Sequence, residues 1–376
     1  MSCDFIALAT PGVQGLTPYV PGKPIEELER ELGISNIIKL ASNENPLGPS
    51  PKVLAALDQV KAELTRYPDG NGFQLKQALS AKLGVKPETI TLGNGSNDVL
   101  DLIARAYLCP GDEAVFSQYA FAVYPISTQA CGASAVVTPA KEWGHDLEAM
   151  AAAITDNTKL VFIANPNNPT GTSFGKAEWE TFIQKVPESV LVVLDEAYIE
   201  YVDEGADALN GLDYLNRYPN LIVTRTFSKA YGLAALRVGY SLSHPQVANV
   251  LNRVRQPFNV DSFALAAATA VLGDQDYLAR SRQVNSEGMA QYQAGFNKLG
   301  LDYIPSAGNF ITVHFDTEGM GIYQKLLQEG VIVRPVANYG MANSLRISIG
   351  LPGENQRCLE ALARVLGTGS EPVTEK

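Results

Sequence analysis

The stretch from Asn220 to Leu242, NLIVTRTFSKAYGLAALRVGYSL, constrains the fold more than any other part of the chain. It opens on an apolar, β-branched run, Leu221-Ile222-Val223-Thr224, which reads as a buried strand. Lys229 follows just where that strand should end, after Thr226, Phe227 and Ser228. An ammonium there is poorly solvated. Desolvation lowers its pKa and frees the amine to act as a nucleophile or base. Arg237 stands eight residues further on and opens a second apolar run, Val238 to Leu242. The spacer AYGLAAL is small and contains a glycine, so the backbone can turn tightly between the two strands. On these residues alone, a structural lysine and a surface arginine between strands fit equally well.

Length and composition narrow the field. A chain of 376 residues exceeds one small core, so two domains are the expectation. The net charge of −11 speaks against a nucleic-acid or membrane-surface partner, and an anionic substrate would need its own local arginines. Cys3, Cys109, Cys131 and Cys358 are scattered with no C-x-x-C pair, which fits a reducing compartment and no metal site. His145, His244 and His314 are far apart, which disfavours metal hydrolysis and histidine triads. No basic-then-apolar leader opens the sequence, and no apolar run reaches the roughly 18 residues of a membrane span. The expectation is a soluble, cytoplasmic protein.

Three further strand ends carry polar groups. Ile90-Thr91-Leu92-Gly93 is a strand running into Asn94-Gly95-Ser96-Asn97-Asp98 and then a helical stripe. A glycine turn feeding a helix N-terminus aims backbone N–H groups and the positive dipole end at an anion. It is neither a Walker loop nor a complete dinucleotide fingerprint. Lys159 to Ala164 is a buried strand ending in Asn165-Pro166-Asn167-Asn168-Pro169-Thr170-Gly171, a rigid turn with amide donors where open α/β sheets place ligand groups. Val190 to Leu194 is capped by Asp195-Glu196-Ala197-Tyr198. A carboxylate there is costly unless a cation meets it. A structural ion pair would also meet that need.

Taken together, Ser228-Lys229, Arg237, the Asn-Pro-Thr-Gly ending and Asp195 resemble the pyridoxal-phosphate aminotransferases of fold type I, over about residues 16 to 365. The resemblance implies an α/β fold with a mostly parallel seven-stranded sheet in a large domain, a small α/β domain, and a homodimer. It implies that Lys229 carries pyridoxal 5'-phosphate as a Schiff base and shuttles the substrate proton. Asp195 would pair with the ring nitrogen and sustain the electron sink. Asn168 and Tyr198 would address the phenolic oxygen. Gly95, Ser96, Asn97, Ser228 and Arg237 would seat the phosphate. Phe121 would stack on the ring, although an aromatic there also suits plain core. Tyr67, in the turn Arg66-Tyr67-Pro68-Asp69-Gly70, would cross a dimer interface to the neighbour's phosphate; an ordinary turn tyrosine is the alternative.

Within that family the chain is most similar to the branch acting on histidinol phosphate with 2-oxoglutarate as acceptor, in histidine biosynthesis. The opening LTPYVPGKPIEEL carries this likeness and makes Tyr19 a candidate substrate contact, a tyrosine merely anchoring the arm being the alternative. The string SNENPLG, common in this part of the aminotransferase family where its turn borders the substrate, makes Asn43 another, and the resemblance adds Tyr67 and Asn168. Arg346 in SLRISIG matches the family's carboxylate clamp, and Arg334 in VIVRP matches a second guanidinium kept by that branch. Aromatic aminotransferases and a phosphoamino-acid decarboxylase are the neighbouring alternatives. A transcription regulator on the same fold would need a DNA-binding module, and none is legible before Ser42.

The domain expectation is an extended N-terminal arm over 1–30, a large cofactor-binding domain over 31–270 whose first part packs with the small one, a small domain over 271–367, and a disordered tail over 368–376.

Overall fold

A computed structural model describes residues 3–367 except Glu204 and Ala206, so the expected tail lies outside the described residues. A seven-stranded sheet forms the larger layer, in the order Ile90–Gly93, Gly239–Ser243, Leu221–Thr226, Leu191–Asp195, Thr158–Ala164, Glu113–Ser117, Ser134–Thr138. Gly239–Ser243 runs antiparallel to both its neighbours, and the other pairs are parallel. Parallel strands in such sheets are buried on both faces and therefore read as continuous apolar runs. Alternation sends Val161, Ile163, Val192 and Leu194 into one core and Leu160, Phe162, Val193 and Ile222 into the other.

A second, four-stranded antiparallel sheet joins Tyr303–Ile304, Phe310–His314, Ser344–Ser348 and Arg334–Pro335. Its own core includes Ile311, Val313, Leu345 and Ile347, with Tyr292 and Phe296 from the helix Gln275–Leu299. That helix has 25 residues, about 37 Å at 1.5 Å per residue. Ile38–Lys39 pairs in parallel with Val331–Ile332, and Ile38 and Leu40 join the small sheet's core.

One local expectation is corrected. The arm is not wholly extended. Pro11–Gln14 forms a short helix against Val123–Ala130, and Ile25–Leu32 forms another that buries Leu28. The second carries Glu26 and Glu27 in its first turn and stops at left-handed Gly33, favourable ends for a helix of eight residues. Val331 to Pro335 is not one strand. It breaks at Val333, pairing with Lys39 on one side and with the small sheet on the other. The edge strand Ser134–Thr138 carries little signal in the sequence, since most of its residues are exposed and it is short.

Candidate active site

The C-terminal ends of the central strands meet the small sheet at a pocket of about 200 Å³. Asp195, Tyr198, Asn168, Ser228, Lys229 and Arg237 line it. So do Ser96, Asn97 and Phe121 from the next layer of loops, and Tyr19, Asn43, Arg334 and Arg346 from the other side. Gly95 is pressed against it: a Cβ there would lie 2.4 Å from Arg237 Nη2, and its φ of 87° also calls for glycine. Tyr67 is the exception. Its ring is 83% exposed and stacks on Phe258 at 4.7 Å, and it does not line the pocket of its own chain.

One wall of the pocket is built for an anion. The amides of Ser96 and Asn97, at the start of the helix Ser96–Tyr107, make no hydrogen bond among the described residues. Arg237 Nη1 donates to Ser228 Oγ at 3.2 Å and to the Ala234 carbonyl at 3.0 Å, which aims the guanidinium at the same spot. Free amides, a hydroxyl and a guanidinium suit a phosphate.

The opposite end is built for a cation. Asp195 is 4% exposed, and its oxygens accept hydroxyl hydrogens from Tyr124 at 2.8 Å and Thr224 at 3.0 Å. No lysine or arginine pairs with it among the described residues. Burial pushes its carboxyl up to about 6 against these two hydrogen bonds and a third from the Ala197 backbone. Its neighbour Glu196 takes the structural ion pair instead, with Arg225 Nη2 at 2.7 Å. A pyridinium N–H would supply the charge that Asp195 lacks.

Between the two lies Lys229. Nζ donates to the Ser42 carbonyl at 2.9 Å and lies 5.8 Å from the Tyr198 ring centre. Burial, followed by the Arg346 charge, holds its amine down at about 7. Near pH 7 about half of this amine is neutral, against almost none of an ordinary lysine, and the neutral form is the nucleophile that captures an aldehyde. Anion seat, uncompensated carboxylate and neutral amine together fit pyridoxal phosphate.

The class I and II aminotransferase family model matches residues 35–364. The chain belongs to that family. It is 68% identical over 368 residues to "Histidinol-phosphate aminotransferase 2" of Pseudomonas fluorescens, covering 97% of this chain and 99% of that protein. It is 65% identical to the protein of the same name from Pseudomonas aeruginosa, covering 96% and 99%. Among solved structures, histidinol-phosphate aminotransferase from Sinorhizobium meliloti, in complex with pyridoxal-5'-phosphate, superposes with a TM-score of 0.88 at 34% identity, covering 96% of this chain and 97% of that one. As a member of this family, the protein is a pyridoxal-phosphate-dependent aminotransferase.

Several contacts of this aminotransferase were not legible in advance. Tyr124 and Thr224, which carry no site signal in the sequence, both donate to Asp195 and orient it. Tyr339 and Thr226 also line the pocket. Asn43 has a left-handed φ of 55°, and both its amide atoms are engaged: Nδ2 donates to Tyr198 Oη at 2.9 Å and Oδ1 accepts from Ser348 Oγ at 3.1 Å. It fixes Tyr198, whose hydroxyl burial pushes up to about 12, so that the phenol keeps its proton to donate. Asn168 Oδ1 accepts from Arg346 Nη1 at 2.5 Å, which leaves Nδ2 as the donor toward the pocket.

The lowered Lys229 pKa can be read directly. In the apoprotein, labelling of Lys229 by fluorodinitrobenzene is expected to rise with pH, with a midpoint near 7 and a plateau above it. Peptide mass spectrometry gives the rate. A midpoint above about 9, as for an ordinary lysine, contradicts the buried-amine account.

Proposed function

We propose that the enzyme transfers the amino group of histidinol phosphate to 2-oxoglutarate, giving imidazole acetol phosphate and glutamate, as a cytoplasmic homodimer. The observation that carries this reading is a pair of guanidiniums. Arg334 and Arg346 are partners across adjacent strands, are 8% and 7% exposed, and both face the pocket. Neither has a carboxylate partner among the described residues. Arg346 donates to Asn168 Oδ1 and the Ala41 carbonyl and leaves Nε buried without a partner. Arg334 donates to the Val20 carbonyl at 2.8 Å and lies over the Tyr19 ring. Two adjacent buried cations without counter-charge suit an anionic substrate group. One guanidinium serves the carboxylate of glutamate. The second lets the same site hold a phosphate, which histidinol phosphate carries in place of the carboxylate.

When bound, pyridoxal phosphate supplies the electron sink that takes up the pair left when the substrate carbon loses its proton. The chain's residues do the rest in this reading. Ser96, Asn97, Ser228 and Arg237, with the partner subunit's Tyr67, would hold the phosphate. Phe121 would pack on the ring. Asp195 would keep the ring nitrogen protonated, and Asn168 Nδ2 and Tyr198 Oη would donate to the phenolic oxygen. Lys229 Nζ takes the proton from the substrate carbon and returns it within the site.

The test compares histidinol phosphate with phenylalanine and tyrosine as donors to 2-oxoglutarate. Arg334→Ala is expected to raise the KM for histidinol phosphate by about tenfold to a hundredfold, since a charged hydrogen bond contributes roughly 1.5–3 kcal/mol. The effect on glutamate should be smaller, while Arg346→Ala should damage both. If Arg334→Ala lowers only the melting temperature and leaves the donor ratio unchanged, the aromatic-aminotransferase reading takes over.

A further inference from the structure

Asp98 is an unexpected residue where it stands. It lies in the first turn of Ser96–Tyr107, beside the free amides, where a carboxylate competes with a phosphate dianion for the same positive helix end. Its charge is drawn aside. Oδ2 accepts from Asn94 N at 2.7 Å and from Asn259 Nδ2 at 2.9 Å. Asn259 Nδ2 also reaches the Leu92 carbonyl at 3.2 Å, on the strand that leads into the turn. Asn259 Oδ1 accepts from Arg255 Nη1 at 2.7 Å, and Arg255 Nη2 donates to the Gly70 carbonyl at 2.9 Å. A polar chain thus runs from the turn at Gly70 to the turn at Asn94. Neither Asn259 nor Arg255 lines the pocket.

The turn needs such a brace. Gly95 is free to take other conformations, and one backbone bond, Gly95 N to the Gly93 carbonyl at 2.8 Å, crosses it. If the Asp98 carboxylate swung to the Ser96 or Asn97 amide, it would occupy the donors a phosphate requires. The donor Arg255 fixes which way the Asn259 amide points, because only Oδ1 can accept from it.

We propose that Asn259, acting through Asp98, is a positioning residue for the phosphate seat: it holds the Asn94–Gly95 turn so that the Ser96 and Asn97 amides stay free for a phosphate dianion. The inference rests on reading Ser96 and Asn97 as that seat.

Reconstitution of the apoprotein with pyridoxal phosphate tests it, followed by the absorbance of the bound cofactor. Asn259→Ala is expected to raise the Kd for the cofactor about tenfold, the loss of one or two hydrogen bonds' worth of preorganisation. Asn259→Ala in an Asp98→Ala background should change the Kd less than twofold, because Asn259 acts on the seat only through Asp98. A Kd for Asn259→Ala within twofold of wild type overturns the proposal. So does an undiminished tenfold effect of Asn259→Ala in the Asp98→Ala background, which would make the lost affinity a matter of general stability. Arg237→Ala is the control: if it leaves the Kd unchanged, the seat itself has been misplaced, whatever Asn259 does.

Discussion

Lys229→Ala is expected to abolish transamination, by about four orders of magnitude or more. Proton transfer by a positioned side chain alone contributes roughly 10²–10⁴-fold, and in the proposed reading the same amine would also hold the cofactor. The fold should survive. The variant loses one hydrogen bond, to the Ser42 carbonyl. It also loses a group whose charged form the fold disfavours. The native amine titrates at about 7, against 10.5 ordinarily, so the native state binds fewer protons than the unfolded chain between those values. Lys229 therefore costs stability, fully below about pH 7 and not at all above about 10.5. The apoprotein of the variant should melt no lower than wild-type apoprotein at neutral pH. Turnover within tenfold of wild type would remove Lys229 from the mechanism.

Asp195→Ala should leave the cofactor bound and cut turnover by about two to four orders of magnitude. The buried carboxylate meets the ring nitrogen as its only nearby counter-charge in this reading. Removing one partner of a buried charged pair costs roughly 3–5 kcal/mol, and each 1.36 kcal/mol is tenfold in rate. Phosphate contacts at the other end of the pocket keep the affinity. The apoprotein gives an independent check. Its Asp195 carboxyl titrates at about 6 instead of 3.8, so the native state binds more protons between those values. Stability from this group is present below about 3.8 and lost as pH rises through about 6. Relative to wild-type apoprotein, Asp195→Ala should therefore gain in melting temperature as pH is raised across that window. Lost cofactor affinity with unchanged turnover on saturated enzyme would contradict the electron-sink role.

What the sequence by itself determined is the set of strand ends. Lys229, Asp195, Asn168 and the Gly95 turn each sit in a contiguous string where an apolar run stops on a polar residue, glycine or proline. Those signals are local, because a buried parallel strand must be apolar along its length and the chemistry can begin only where it ends. The central strands were legible for the same reason. The tertiary structure alone decided which groups face one another. Tyr124 and Thr224 meet Asp195 across 71 and 29 residues of chain, and Arg334 meets Arg346 through strand register. Only the structure separates Asp195, left without a cation, from Glu196, which Arg225 neutralises. Neighbouring carboxylates in one string differ because a strand turns successive side chains to opposite faces, and what waits on each face is set by sheet order.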